Sequence, residues 1–113
     1  MICAGIDAGS RTVKVVLIDA GSLQVVAQGL ADQGVEQDRL ASQLFKSVLK
    51  DSGVARKDVA AIVATGYGRN AVSIADTTIT EITCHAVGVH RLVPDARTVI
   101  DIGGQDSKLL RLD

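Results

Sequence analysis

Ile6-Asp7-Ala8-Gly9-Ser10-Arg11-Thr12-Val13-Lys14 and Ile100-Asp101-Ile102-Gly103-Gly104-Gln105-Asp106-Ser107-Lys108 follow one plan. Each is an apolar strand ending in Asp, a glycine turn, a hydroxyl residue, and then a lysine on the returning strand. An Asp at the end of a strand points from the sheet edge into whatever cleft lies there. Gly9 lets a bulky anion approach the backbone, and successive turn N–H groups can form an anion-binding nest. Ser10 and Thr12 can donate to phosphate oxygens, and Lys14 adds a point charge. A carboxylate repels a polyphosphate unless a cation intervenes, so Asp7 implies Mg²⁺ held partly through water. Asp101, Gly103, Gly104, Gln105, Asp106 and Lys108 repeat the kit. Two such hairpins facing each other would clamp a triphosphate, with Mg²⁺ between two aspartates. Phosphoryl transfer needs that arrangement, since positioning and charge neutralisation supply most of its catalysis. No G-x-x-x-x-G-K-[ST] occurs in the chain, so this is not a P-loop.

Outward from the first copy, Ile2–Asp7, Val13–Asp19 and Leu23–Gln28 read as three strands joined by tight turns, hence antiparallel hairpins. A helix is expected from about Val35 to Ser52, with Leu40, Ala41, Leu44, Phe45, Val48 and Leu49 on one face and Gly53 as its C-cap. Val59–Ala64 is a continuous apolar run, typical of a central strand covered on both faces. Thr65-Gly66-Tyr67-Gly68-Arg69-Asn70 and a short helix to about Ala75 follow. Thr77–Thr80 is a candidate edge strand, and Thr80 a candidate N-cap for a helix from Glu81 to about Val93. Thr98–Ile102 is the last full strand, and Ser107–Leu112 returns from it. The order is that of a mixed α/β sheet, with hairpins on one side and helical crossovers on the other.

The 113 residues hold one domain at most. With 47% hydrophobic residues, 22% charged ones and a formal net charge of −1, the chain is globular, and neither disordered nor a nucleic-acid binder. No apolar run approaches the roughly 18 residues of a membrane span, and Met1–Asp7 lacks the basic flank of a signal peptide. Cys3 and Cys84 are expected to be buried, reduced thiols of a cytoplasmic protein.

The wording of these motifs narrows the field. The two Asp–Gly hairpins resemble the first and second phosphate motifs of the actin/hexokinase/heat-shock-protein-70 superfamily. With Ala64-Thr65-Gly66-Tyr67-Gly68-Arg69-Asn70 and Ile79-Thr80-Glu81-Ile82-Thr83-Cys84-His85-Ala86, the chain is similar to the BadF/BadG/BcrA/BcrD ATPase family. That family contains ATP-dependent activators of 2-hydroxyacyl-CoA dehydratases and ATPase subunits of benzoyl-CoA reductases. The resemblance implies a ribonuclease-H-like mixed sheet in an actin-like ATPase lobe, with ATP or ADP and Mg²⁺ in a cleft. It implies a homodimer or paired ATPase subunits sharing one [4Fe-4S] cluster. ATP hydrolysis would drive a low-potential electron into an acyl-CoA dehydratase or reductase component.

On that resemblance, Asp7 and Asp101 organise Mg²⁺ through water, and Gln105 or Asp106 orients the attacking water. Gly9, Ser10, Arg11, Thr12, Lys14, Gly103, Gly104 and Lys108 bind the nucleotide, and Arg69 meets a partner subunit or senses the nucleotide. Residues 1–95 would form the first lobe and 96–113 the start of a second. Family members are more than twice as long, and their cluster cysteines and adenosine-binding glycines fall beyond residue 113. Arg11 stands where a small hydroxyl residue is common.

Other patterns have plainer explanations. Cys84, His85 and His90 lack the i, i+3 or i+4 spacing of ligands on one helix face. Gly66-Tyr67-Gly68-Arg69-Asn70-Ala71 fits G-x-G-x-x-A and so keeps a dinucleotide-binding alternative open. Two further alternatives are a non-catalytic nucleotide-binding or dimerisation module, and a sugar- or acyl-type kinase of the same superfamily.

Overall fold

The computed structural model describes residues 1–102 and 107–112. The chain divides into two compact units, Met1–Thr78 and Ile79–Asp113.

In the first unit, β1 (Ile2–Ala8), β2 (Thr12–Asp19) and β3 (Val25–Asp32) form an antiparallel meander. Helix α1 (Gln37–Ser52) then crosses over to β4 (Val59–Thr65), which runs parallel to β1. A short strand, β5 (Thr77–Thr78), adds a parallel edge, and the sheet order is β3-β2-β1-β4-β5. The mixed sheet expected from the sequence is therefore present.

Strand alternation selects the face that α1 covers. Ala4, Ile6 and Ala8 of β1, Val13, Val15 and Leu17 of β2, and Ile62 and Ala64 of β4 are all buried with Ala41, Phe45, Val48 and Leu49 of α1. The period of two in the strands meets the period near 3.6 in the helix, which gives one apolar layer between them. Ala61 and Val63 point the other way and stay half-buried, so β4 is fully covered on one face only. Gly53 caps α1 in the left-handed region at φ 75°, as expected.

Several boundaries differ from the sequence pattern, each for a local reason. The third strand begins at Val25 rather than Leu23, because Asp19 builds a turn of its own. Its Oδ1 accepts from Gly21 N at 2.8 Å and Ser22 N at 3.1 Å, and Leu23 is driven to φ 60°. Such side-chain bonds compete with a strand ladder for the same backbone groups. Those two N–H donors, Ser22 first, hold the Asp19 carboxyl below its ordinary value. The helix expected after Asn70 is a single 3-10 turn, Arg69–Ala71. Cys3 and Cys84 are unpaired, and half-buried rather than buried.

In the second unit, α2 (Glu81–Leu92) starts at Thr80, whose hydroxyl accepts from Thr83 N at 3.4 Å. Strands β6 (Thr98–Ile102) and β7 (Ser107–Arg111) pair as an antiparallel hairpin. Among the described residues, no helix is long and apolar enough to cross a membrane.

Candidate functional site

Strands β1 and β2 are joined by Gly9, Ser10 and Arg11, in a turn closed by Gly9 N donating to Thr12 O at 3.0 Å. A Cβ at Gly9 would lie 2.9 Å from that same oxygen, so the hairpin itself demands glycine there. Gly9 N is thereby spent on the turn, whereas the N–H groups of Ser10 and Arg11 have no acceptor among the described residues. Two open donors on a short, closed turn are what an anion-binding nest requires. Gln33, at the exit of β3, braces it from behind. Its Nε2 donates to Gly9 O at 3.0 Å, and its backbone N donates to Arg11 O at 2.9 Å. No sequence pattern announces this brace, because a glutamine just past a strand carries no periodicity of its own.

On the sheet face turned away from α1, the ends of three adjacent strands line up. Lys14 of β2 is the register partner of Asp7 of β1, and Asp7 is in turn the partner of Thr65 of β4. Lys14 Nζ lies 3.2 Å from Asp7 Oδ2, with the two side chains 51% and 38% exposed. An ion pair this open contributes about 0–1 kcal/mol, so a competing anion can take the lysine at little cost. Thr65 ends the row with a buried Oγ1 that has no hydrogen-bond partner among the described residues.

The loop after Thr65 folds over the end of β1. Gly68 N donates to Ala8 O at 2.8 Å. Gly66 has φ 96°, and a Cβ there would meet Asp7 Oδ1 at 2.5 Å and Ala8 O at 2.6 Å. Arg69 reaches back over its own loop, donating from Nη1 to Gly66 O at 3.0 Å. Asp38 in the first turn of α1 accepts from both Ser73 N and Ser73 Oγ at 2.9 Å, which ties the far end of this segment to the helix. The dinucleotide alternative fails on this geometry. A dinucleotide fingerprint opens a full helix whose N-terminus receives the pyrophosphate, and here three residues of 3-10 turn follow the glycines.

For a metal, the described residues offer no group of three or more His, Cys, Asp or Glu side chains. Asp7, whose Oδ1 has no hydrogen-bond partner among the described residues, fits an ion that keeps most of its water, as Mg²⁺ does, and does not fit an all-protein cage. A [4Fe-4S] cluster takes four thiolates, so two subunits sharing one would each supply a pair; Cys3 stands on β1 in the first unit and Cys84 on α2 in the second, so neither unit offers such a pair.

The second copy of the motif is only partly described. Asp101 lies on β6 as the register partner of Lys108 on β7. Lys108 Nζ sits 3.4 Å from Glu81 Oε2 of α2, with both side chains largely buried. Gly103, Gly104, Gln105 and Asp106 lie outside the described residues.

Comparison with known proteins agrees with this geometry. Residues 4–113 match the BadF/BadG/BcrA/BcrD ATPase family. The activator of lactoyl-CoA dehydratase from Anaerotignum propionicum is 45% identical over 113 residues, 100% of this chain and 43% of that protein. The crystal structure of the Acidaminococcus fermentans (R)-2-hydroxyglutaryl-CoA dehydratase component A superposes with a TM-score of 0.88 at 35% identity, over 100% of this chain and 43% of that one. The activator of the 2-hydroxyisocaproyl-CoA dehydratase from Clostridium difficile, with bound ADPNP, gives a TM-score of 0.88 at 40% identity over 100% and 41%. The chain thus spans less than half the length of these relatives.

Proposed function

This chain belongs to the BadF/BadG/BcrA/BcrD ATPase family, and from that premise we propose that it is the phosphate-gripping part of a Mg·ATP-hydrolysing activator. The activator would couple hydrolysis to low-potential electron delivery into an acyl-CoA dehydratase or reductase. The observation that carries this reading is the row Lys14–Asp7–Thr65 beside the open N–H groups of Ser10 and Arg11. It is supported by 40% identity to an activator whose solved structure has bound ADPNP.

In this reading, Ser10 and Arg11 hold phosphate oxygens through their N–H groups, with Thr12 Oγ1 as a further donor. Lys14 leaves Asp7 for the phosphate, which it binds as a point charge. Asp7 and Asp101 hold the water shell of Mg²⁺, and bound Mg²⁺ supplies neutralisation of phosphate charge. Gln105 or Asp106 orients the attacking water, while Gly103, Gly104 and Lys108 complete the grip from the second hairpin. Residues 1–95 form the first lobe of the full protein, and 96–113 begin the second. The partners are a second ATPase subunit, identical or paired, and the acyl-CoA enzyme.

Calorimetric titration of the full-length protein with Mg·ATP, run alongside a phosphate-release assay, tests the proposal. Micromolar binding with turnover is the expected result. Binding without phosphate release would favour the non-catalytic module, and no binding at all would sink both.

A further inference from the structure

We propose that Thr65 is a positioning residue for Asp7, and that its hydroxyl takes over the carboxylate when nucleotide draws Lys14 away. This rests on the nucleotide-binding reading above and deepens it. The starting observation is a defect. Thr65 Oγ1 is buried and makes no hydrogen bond, the one such side-chain atom among the described residues. A buried hydroxyl without a partner is destabilising, and native structures keep few of them.

Its position explains why this one is kept. Asp7 and Thr65 are register partners on parallel strands, so both side chains leave the same face, with strands roughly 4.8 Å apart. Asp7 Oδ2 is held on the far side by Lys14. Oδ1 lies toward β4, 2.5 Å from where a Cβ of Gly66 would be, and Gly66 directly follows Thr65. The absence of a side chain at Gly66 leaves that oxygen room beside β4. Threonine in a strand has more than one accessible χ1 rotamer, so a rotation can turn the hydroxyl onto the carboxylate.

The structure thus has one cation on Asp7 and an idle hydroxyl next to it. Once Lys14 moves to phosphate, Asp7 loses its donor and must still aim an oxygen at the Mg²⁺ water shell. A hydrogen bond from Thr65 Oγ1 fixes the carboxylate in that orientation. No bond is made or broken in this exchange, and no proton is transferred.

The experiment is titration of the full-length protein with ADPNP, with and without Mg²⁺, in wild type, T65V and T65S, together with thermal unfolding of each. T65V is expected to weaken Mg·ADPNP binding about ten-fold, the scale of one hydrogen bond to a charged group. It should bind metal-free ADPNP like wild type and unfold no earlier, since valine removes the idle hydroxyl at equal volume. T65S should bind like wild type. Wild-type affinity in T65V, or a loss equal with and without Mg²⁺, would overturn the proposal. If T65V does not fold, T65A is read by the same two titrations. Failure of wild type itself to bind would instead bring down the nucleotide reading, and this inference with it.

Discussion

At position 66 the backbone turns through φ 96° with Asp7 and Ala8 filling the space where a side chain would start. Both features penalise any other residue, the first by about 1–2 kcal/mol and the second by the shift that Ala8 backbone atoms would have to make. G66A should therefore lower stability by about 2 kcal/mol or more in chemical denaturation; a variant as stable as wild type would mean that the loop has other ways to sit. Residues of this kind differ in how legible they were. Asp7, Ser10, Thr12 and Lys14 stand close together in sequence, so their grouping on one hairpin was readable from spacing alone. Thr65 was not, because its neighbour Asp7 is far away in the chain. Only the parallel register of β1 and β4 makes them a pair. Gln33 has no local signal for the same reason, since its contact with Gly9 is set by where β3 ends.

Between elements, α1 and the segment after β4 are joined by Asp38 and Ser73. Two donors from Ser73, the backbone N–H foremost, hold the Asp38 carboxyl below its ordinary value of 3.8. A depressed carboxyl contributes stability that is present above its unfolded pKa and lost as pH falls through the lower folded one. Denaturation at stepped pH should show wild type losing stability below 3.8. D38N should lose less over that window, because it has no carboxylate to protonate. Identical acid dependence in the two would remove this link from the account. Helix α1 was legible because its apolar face repeats over many turns, and Gly53 marks its end. The helix expected after Asn70 was not borne out. There the chain follows side-chain and backbone bonds, to Asp38 and to Ala8, that no short-range periodicity records.

At the scale of the whole molecule, the class of fold was readable and the order of strands was not. Tight turns announced the meander of β1, β2 and β3, but nothing local to Val59–Thr65 says that β4 lies beside β1 with β5 outside it. The same contrast governs how the site comes together. The hairpin that carries Asp7, Ser10, Arg11 and Lys14 closes over a short turn, whereas Thr65 joins it only after β3, α1 and a crossover have been spanned. Loop-closure entropy makes the first event early and the second late. In pulse-labelled hydrogen exchange during refolding, amides of β2 such as Val15 should gain protection no later than Val63 of β4, and the reverse order would refute this sequence of events. A nascent chain would thus own its phosphate turn, with Lys14 neutralising Asp7, before it owns the strand that brings Thr65. The ion pair that nucleotide later breaks would be the one that keeps the half-made sheet from carrying a bare carboxylate.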